Sequence, residues 1–266
     1  MAAIEIRSLS YRYPDGTEAL RDVSLSIGEG EILGLVGANG AGKSSLLLHL
    51  NGVLAATGAV HVGGVPVIPA HLSEVRRRVG LVFQNPDDQL FMPRVFDDVA
   101  FGAINLGHPP EVVERKVGEA LEAVGMSGFA ARAPCHLSLG EKKKIAIATV
   151  LVMDCRVLAL DEPTAGLDPR ARRDLICLLA ELPCTQVIAT HDLEMAVELF
   201  DRVALLSRGE LVAVGEPEAL LADEALMERH GLEVPHSLRP HPGAPHHRRL
   251  RARRHPAPSY EEPARI

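Results

Sequence analysis

Short runs of apolar residues, separated by turn residues, recur along most of the chain and predict β-strands. Two early segments, 4–7 and 23–27, alternate between apolar and polar positions, as strands with one buried face do. Uninterrupted apolar runs are typical of strands that are buried on both faces. These runs occupy residues 32–36, 79–83 and 157–160, and residues 185–191 predict a similar strand with an apolar centre and polar ends. Two further pairs of short runs, at 59–67 and 203–214, enclose glycine turns and predict hairpins.

Helical patterns lie between the predicted strands. We expect helices after Lys43 and at 72–78, and a third at 169–181 with Asp168 as its N-cap and Pro169 in its first turn. Between residues 85 and about 155 the strand-like runs give way to three helical segments. These segments are 95–104, 111–124 and 141–153, and they predict a helical insertion in a mixed α/β fold.

The composition limits the classes of partner. The 266 residues carry a net charge of −7, with seven arginines and two glutamates in residues 235–266. That segment therefore has a charge of +5 and the remainder −12, which disfavours binding to duplex nucleic acid. Residues 235–266 are rich in proline, arginine and histidine and lack an apolar period. We predict one domain over residues 1–234 and a disordered tail over 235–266.

The cysteines and the apolar runs indicate a soluble polypeptide from a reducing compartment. Four cysteines, at 135, 155, 177 and 184, show no CxxC spacing, so we expect small buried side chains rather than disulfides or a metal site. The longest apolar run, 145–153, is far shorter than the roughly 20 residues that span a bilayer. Any membrane role would require a partner.

A glycine-rich loop follows the apolar run 32–36 and precedes a predicted helix. Residues 37–44, the glycine loop, match GxxxxGK[ST] in the strand–loop–helix context that this motif needs. Its backbone N–H groups and the helix N-terminus would bind phosphate oxygens. Lys43 would reach the β- and γ-phosphates of a nucleotide and Ser44 would hold Mg²⁺. The nucleotide-binding residues predicted here are Gly37, Ala38, Asn39, Gly40, Ala41, Gly42, Lys43, Ser44 and Ser45.

Polar residues end three of the buried strands. Asp161 and Glu162 follow the run 157–160, and ligands bind at the carboxyl ends of parallel strands. Asp161 would be a Mg²⁺ ligand and Glu162 the general base that polarises the attacking water. His191 could bind a γ-phosphate or the water. Gln84 could contact Mg²⁺ or the water. We therefore interpret these residues and the glycine loop as one site.

The order of motifs resembles that of ATP-binding cassette (ABC) proteins. Residues 137–141, Leu-Ser-Leu-Gly-Glu, lie about twenty residues before Asp161 and resemble the ABC signature; we call them the signature segment. The family's order is also present around them: aromatic Tyr13, the glycine loop, Gln84, the signature segment, Asp161-Glu162, residues 165–168 and residues 190–192. The resemblance covers residues from about 3 to 225.

The resemblance implies a fold and a way of working. The fold would be a P-loop NTPase of ABC type, with a mixed, mainly parallel core sheet, an N-terminal antiparallel β subdomain and an inserted α-helical subdomain. Two subunits would bind ATP at their interface, with Tyr13 stacked on adenine. Ser138 and Gly140 would meet the γ-phosphate of the opposite subunit, and Asp168 would reach across the dimer. ATP binding would close the pair, hydrolysis would reopen it, and a membrane partner docked near Gln84 would follow.

The signature segment departs from the usual Leu-Ser-Gly-Gly-Gln at Leu139 and Glu141. Ser138 and Glu141 have the S-x-x-E spacing of a capping box, which accepts Glu or Gln. Leu139 places a side chain where the family often has none, which bears on the rate of hydrolysis. Lysines at 142–144 follow, and two interpretations stay open. They form a solvated basic face, or some of them offset Glu141 and meet phosphates across the dimer.

A narrower resemblance concerns the transported substrate. Residues 84–91 resemble the Q-loop of cassettes in energy-coupling factor importers, and the Leu-Ser-x-Gly-Glu-Lys-Lys form resembles their cobalt and nickel branch. We expect metal import first and vitamin import second, with transmembrane energy-coupling and substrate-binding subunits as partners. The protein would lie peripherally on the cytoplasmic face of the membrane. The rival classes are a soluble ABC protein acting on nucleic acid or ribosomes, and a cassette for an exporter.

Histidines in the tail allow two interpretations. Imidazoles suit Ni²⁺ and Co²⁺, but the irregular spacing and the neighbouring arginines favour a tail with no fixed ligand geometry. The arginines could equally contact anionic lipid headgroups. The histidines concerned are His236, His241, His246, His247 and His255.

Overall fold

The computed structural model describes residues 2–54 and 58–239. Within these ranges the strands, numbered along the chain, are β1 (Ala2–Arg12), β2 (Glu18–Gly28), β3 (Ile32–Val36), β4 (Val60–Val62), β5 (Val65–Pro66), β6 (Val79–Val82), β7 (Val157–Asp161), β8 (Thr185–Thr190), β9 (Arg202–Ser207) and β10 (Glu210–Gly215). The helices are α1 (Lys43–Leu50), α2 (Leu72–Arg78), α3 (Val95–Asn105), α4 (Pro110–Ala123), α5 (Leu139–Leu151), α6 (Pro169–Glu181), α7 (Leu193–Leu199), α8 (Pro217–Leu221) and α9 (Glu224–Arg229).

The larger sheet is built from the predicted strands at 32–36, 79–83, 157–160 and 185–191 and from the predicted hairpin at 203–214. Its strand order is β10-β9-β3-β8-β7-β6, and only β10 is antiparallel to its neighbour. β3 lies between β8 and β9 and is buried at every position, which explains why its sequence does not alternate. The register pairs Val36 with Thr190 and Val82 with Leu160, so the carboxyl ends of these strands meet at one edge. The loops that follow them are therefore neighbours.

Two hydrophobic clusters cover the two faces of this sheet. Alternate β3 residues point to opposite faces: Ile32 and Val36 pack with the helices α3 to α7, and Leu33 and Leu35 pack with α1 and the smaller sheet. Gly34, on the same face as Ile32 and Val36, lies against the ring of Phe200. A Cβ at this position would stand 1.9 Å from Cδ2 of the ring. The centre of β3 therefore has room for glycine only.

The smaller sheet is antiparallel, with strand order β2-β1-β4-β5. The expectation of short strands at 4–7 and 23–27 was wrong in length, because β1 and β2 each span 11 residues. Ser8 and Asp22 have φ angles of 48° and 47°, and the β1–β2 register shifts beside them. Such bulges interrupt the alternation of apolar and polar positions, so the sequence pattern stops before the strands do.

Helices α3, α4 and α5 lie between β6 and β7 in the sequence and pack against one another. α5 begins at Leu139, two residues before the predicted start, because Ser138 is its N-cap and forms a capping box with Glu141. The fold thus has the predicted parts: an antiparallel N-terminal sheet, a mainly parallel sheet and a helical region. Among the described residues, no helix combines the length and apolar character needed to cross a membrane.

The folded chain extends past residue 234, where the sequence analysis set the domain boundary. Residues His236–Leu238 form a 3-10 turn, and the backbone N–H of Ser237 donates to Glu194 Oε1 of α7 at 3.3 Å. Leu238 packs against the larger hydrophobic cluster. The rest of the predicted tail 235–266, from residue 240 onward and with four of its five histidines, lies outside the described residues.

Candidate functional site

The glycine loop joins β3 to α1 at the edge where the parallel strands end. Gly40 and Gly42 have φ angles of 78° and 106°, which a residue with a side chain rarely adopts. Gly42 is also the N-cap of α1 and gives it no side-chain hydrogen bond. The first N–H groups of this helix are therefore available for an anion.

The turn between β9 and β10 supports the glycine loop from behind. The backbone N–H of Gly209 donates to the carbonyl of Ala41 at 3.0 Å. A Cβ on Gly37 would lie 2.2 Å from the carbonyl oxygen of Leu206, and one on Gly42 would lie 2.6 Å from that of Ala19. The loop is thus held closely against the backbone of β2, β9 and the turn after β9, and larger residues at 37 and 42 would displace it.

Lys43 folds back over the glycine loop. Its Nζ donates to the carbonyl oxygens of Gly37 at 2.7 Å and Ala38 at 3.2 Å, and lies 4.0 Å from Glu162 Oε1. Burial lowers the pKa of Lys43, while the charges of Glu162 and Asp161 act in the opposite direction. The ammonium group therefore lies beside the glycine loop, within reach of phosphate oxygens that would accept hydrogen bonds from the backbone N–H groups of this loop.

Asp161 ends β7 beside the start of α1. The Ser44 hydroxyl donates to its carboxylate, and the other carboxylate oxygen, Oδ1, is buried with no hydrogen-bond partner. Burial raises the pKa of Asp161, and this effect outweighs the lowering by Ser44 and by two nearby lysines. A buried, unpartnered carboxylate oxygen next to a hydroxyl is a donor set that suits a hard cation.

Glu162 lies at the centre of the site in an unusual backbone conformation. Its φ is 44°, in the left-handed region, and its backbone N–H donates to the carbonyl of Ala189 at 2.8 Å. Its buried carboxylate accepts from the Thr190 hydroxyl at 3.2 Å and from the His191 backbone N–H at 3.3 Å. His191 Nδ1 lies 2.8 Å from the same oxygen, while the imidazole remains 62 % exposed. The structure therefore brings Lys43, Asp161, Glu162 and His191 together.

Gln84 joins this group through its backbone rather than its side chain. The side chain is exposed, and the carbonyl oxygen accepts from Lys143 Nζ at 3.3 Å. The nearby Gln89 is the amide with fixed contacts: it donates to the Ala146 carbonyl at 3.0 Å and the Thr149 hydroxyl at 2.7 Å, and accepts from Phe83 N–H. Sequence analysis missed Gln89, because an amide in a polar turn carries no signal of burial.

Tyr13 and Ser45 form a second side of the site. The Tyr13 hydroxyl and Ser45 Oγ are 3.0 Å apart. Tyr11 packs edge-on against Tyr13, with ring centroids 5.0 Å apart, and against His49 at 4.7 Å. His49 is buried and its Nδ1 lies 2.7 Å from the Ser45 carbonyl oxygen. Sequence analysis did not single out Tyr11 or His49, which support the aromatic ring and the helix from inside.

Ser138, Gly140 and Asp168 lie on an exposed surface of their own. Ser138 and Glu141 exchange three hydrogen bonds in the capping box, and Asp168 caps α6 by accepting from the N–H groups of Arg170 and Ala171. A Cβ on Gly140 would lie 3.2 Å from Cβ of Ala171. Across the described ranges, no hydrogen bond or ion pair joins these three residues to the glycine loop of the same chain.

The three lysines after the signature segment have different environments. Lys142 Nζ lies 2.6 Å from Asp87 Oδ1. Hydrogen bonds from Ser138 lower the pKa of Glu141, with a smaller contribution from the charges of Arg132 and Lys144. Lys143 is buried and donates within its own subunit, so neither interpretation of the lysines describes it. A lysine in a charged run looks the same in the sequence whether it is solvated or buried.

An apolar surface flanks the segment 84–91. Phe91 and Phe101 are 62 % and 44 % exposed, and their rings pack edge-on with centroids 5.6 Å apart. A cleft of about 270 Å³ adjoins Phe91 and is lined also by Asp87, Met92, Cys135 and Lys142. We call Phe91, Phe101 and the adjoining cleft the aromatic surface.

Within the described part of the chain, no group of three or more His, Cys, Asp or Glu side chains is arranged to hold a metal.

Comparison with known proteins identifies the chain's relatives. The family model for ABC transporters matches residues 20–165. A putative ABC transporter ATP-binding protein of Geobacter sulfurreducens is 56 % identical over 209 residues, which are 78 % of this chain and 84 % of the relative. The energy-coupling factor transporter ATP-binding protein EcfA of Methanothermobacter thermautotrophicus is 49 % identical over 238 residues, or 87 % of this chain and 76 % of the relative.

Solved structures agree in fold. CbiO1 of Clostridium perfringens, described as part of the ABC transporter complex CbiONQ, has a TM-score of 0.76 at 36 % identity and covers 86 % of this chain and 94 % of its own. An ATP-binding cassette of an ABC transporter in its ADP conformation has a TM-score of 0.74 at 26 % identity, with 86 % and 98 % covered.

Proposed function

This chain belongs to the ATP-binding proteins of ABC transporters, which are ATPases coupled to transport, and we propose that it powers an importer of the energy-coupling factor group. The observation that carries the catalytic half of the proposal is the position of Glu162. Its carboxylate lies 4.0 Å from Lys43 Nζ and 2.8 Å from His191 Nδ1. A carboxylate between a phosphate-binding lysine and an exposed imidazole is well placed to accept a proton from an attacking water.

Each residue of the site then has a role. Lys43 and the N–H groups of residues 37–45 bind the phosphates, and Glu162 is the general base. His191, held by Glu162, contacts the γ-phosphate or orients the water. Tyr13 stacks on adenine, which requires its ring to remain accessible after the hydroxyl has bonded to Ser45.

Mg²⁺ fits the residues at the end of β7. Ser44 supplies a hydroxyl and Asp161 a carboxylate with one buried oxygen that lacks a partner. Gln84 is a third ligand in the proposal, since its exposed amide is free to turn toward the site. When bound, Mg²⁺ would offset the charge of the phosphate oxygens. Without it, the raised pKa of Asp161 makes this carboxylate easier to protonate.

A second subunit completes the site. Ser138, Gly140 and Asp168 lie away from the glycine loop of their own chain, on segments with exposed surface. In the proposed dimer, Ser138 and Gly140 meet the γ-phosphate bound by the partner cassette and Asp168 crosses the interface. The second cassette is either another copy of this chain or a different one. Closing and reopening of the pair would be driven by ATP binding and hydrolysis.

Transmembrane subunits are the proposed partners of the aromatic surface. Phe91 is the most exposed of the large apolar side chains in the described ranges, and it lies in the segment whose sequence resembles the importer Q-loop. Binding there would place the protein peripherally on the cytoplasmic face of the membrane. The EcfA relatives and the CbiO1 structure support the importer group. We propose cobalt or nickel as the substrate, with a vitamin as the alternative within the same group.

Replacing Glu162 by Gln tests the catalytic half. Glu162→Gln should bind ATP as the wild type does, form a persistent ATP-bound dimer and lose at least about 100-fold in turnover, as removal of a general base does. Glu122→Gln, on the exposed face of α4, is the matched control. Size-exclusion chromatography with ATP and a phosphate-release assay give the two readouts. Normal hydrolysis in Glu162→Gln would remove the general-base role.

Purification from membranes tests the transport half. The chain, expressed with its neighbouring genes, should co-purify with hydrophobic subunits, and the complex should retain cobalt, nickel or a vitamin. A partner-free cytosolic pool, or association with ribosomes or nucleic acid, would favour the soluble class instead.

A further inference from the structure

One buried side chain in the site has no role in the proposed mechanism. Lys143 lies in α5, five residues after the N-cap Ser138, and its side chain is 4 % exposed. Its Nζ donates to the backbone carbonyl of Glu162 at 2.9 Å and to that of Gln84 at 3.3 Å. These two carbonyls follow neighbouring parallel strands, β7 and β6. One ammonium group therefore connects the helix of the signature segment to two strand ends.

The carbonyl of Glu162 is the position where this contact matters most. The left-handed backbone at Glu162 is unfavourable for a residue with a side chain and persists only where its surroundings hold it. Its N–H donates to the carbonyl of Ala189, on β8, and its C=O accepts from Lys143 Nζ at 2.9 Å and, at 3.2 Å, from the N–H of Ala165 in the same turn. Lys143 is thus the contact that reaches the carbonyl from another element. Fixing both groups fixes the direction of the Cα–Cβ bond, and with it the path of the carboxylate toward Lys43 and His191.

Burial sets the charge state of this group. It lowers the pKa of Lys143 to about 8, against the opposing charges of Glu162 and Asp161, so the ammonium form prevails at neutral pH. Two buried lysines, Lys43 and Lys143, thus face two carboxylates. Loss of Lys143 would leave the Glu162 carbonyl with only the backbone N–H of Ala165, at 3.2 Å, and would remove the side-chain donor to the Gln84 carbonyl. It would also leave one carboxylate charge without balance, and such buried groups tend to rearrange.

We propose that Lys143 is a positioning residue for ATP hydrolysis, which holds the backbone of Glu162 and ties it, together with Gln84, to helix α5. The proposal rests on the proposed function, because it takes Glu162 as the general base. It predicts that the carboxylate is correctly placed only while α5 keeps its position against the sheet. A shift of the signature segment would then be felt at Glu162 of the same subunit through a single contact.

Substitution of Lys143 separates positioning from nucleotide binding. Lys143→Met keeps the length and removes the donor, and Lys143→Gln keeps an N–H group that is too short to span both carbonyls. Both should lower kcat about 10- to 100-fold, as displacement of a catalytic group by about 1 Å does. The KM and the binding constant for ATP should stay within about two-fold, since the contacts of residues 37–45 are unchanged. Lys143→Arg, which keeps charge and donors, should recover part of kcat.

Lys116→Met is the matched control. Lys116 is also a buried lysine of the helical region, but its ammonium pairs with Asp154, away from Gln84 and Glu162. Its loss should lower the thermal midpoint and leave kcat at 25 °C unchanged. If Lys143→Met does not fold, Lys143→Gln carries the test. A wild-type kcat in a folded Lys143 variant, or a kcat loss as large in Lys116→Met, would overturn the proposal.

The wild type and Glu162→Gln, measured alongside, separate this failure from that of the proposed function. If Glu162→Gln hydrolyses ATP normally, the general-base assignment fails and the role of Lys143 fails with it. If Glu162→Gln is inactive and the Lys143 variants hydrolyse ATP like the wild type, only the positioning role is wrong.

Discussion

Leu139 departs from the family pattern of the signature segment, but its side chain packs partly within its own subunit. Its side chain is 39 % exposed, and its Cδ2 lies 3.1 Å from where a Cβ on Gly166 would stand. Gly166 has a φ of 75°, so residues 165–168 turn at a glycine that the leucine covers. The leucine side chain thus lies partly against its own subunit. Its contact with Gly166 connects the signature segment to the residues before Asp168.

His49 is a residue for which the pH dependence of stability can be predicted. Burial lowers its pKa, although the hydrogen bond to the Ser45 carbonyl acts to raise it, and its buried Nε2 has no partner. An unfolded histidine has a pKa near 6.5. As the pH falls below about 6.5, the unfolded chain takes up a proton that the folded chain resists, so the contribution of His49 to stability is present above that pH and is lost below it.

His49→Leu should therefore flatten the fall in unfolding free energy between about pH 7 and pH 5. Urea unfolding at several pH values, compared with wild type, measures the difference in slope. Equal slopes in the two proteins would show that His49 accepts a proton in the folded state. The effect belongs to stability, because His49 supports Tyr11 and α1 and does not line the glycine loop.

At the scale of the elements, β3 is buried at every position and leaves no room for a side chain at Gly34. Gly34→Ala would place a methyl group 1.9 Å from Phe200 Cδ2, on the sheet face that this ring covers. Overpacking of this kind costs about 1–3 kcal/mol of unfolding free energy. Gly118→Ala, on the open face of α4, should instead be neutral or stabilise by about 0.5–1 kcal/mol. Phe200→Leu should restore part of the loss in Gly34→Ala, measured by urea unfolding of both single variants and the double variant.

Elements with a strong local signal could be predicted from the sequence. The buried strands and the start of α6 depend on apolar runs and capping residues that lie next to one another in the chain. The length of β1 could not be predicted, because nothing in the sequence distinguishes Ser8, which has a positive φ, from serines with ordinary backbone angles. The burial of Lys143 and Gln89 depends on contacts with residues 19 to 60 positions away, which no local pattern records.

At the scale of the whole molecule, two truncations test where the folded domain ends and whether the segment after it contributes to activity. Removal of residues 240–266 should leave ATPase activity and stability unchanged. Removal of residues 235–266 should keep activity but lower the unfolding free energy by about 1 kcal/mol, because Leu238 and the Ser237–Glu194 hydrogen bond are lost. A phosphate-release assay with and without Co²⁺ or Ni²⁺, and thermal unfolding, are the measurements. Metal-stimulated activity that disappears with residues 240–266 would contradict the view of the tail as a segment without fixed ligands.

The arrangement of β3 also affects how the protein is made. Its two neighbours in the sheet, β8 and β9, begin at Thr185 and Arg202, and the glycine loop receives a hydrogen bond from Gly209. At about 5–20 residues per second, a ribosome delivers these partners on the order of ten seconds after β3. During that time the most apolar strand of the larger sheet has both edges unpaired. ATP therefore cannot stabilise the nascent chain through the glycine loop until most of the sequence has been synthesised.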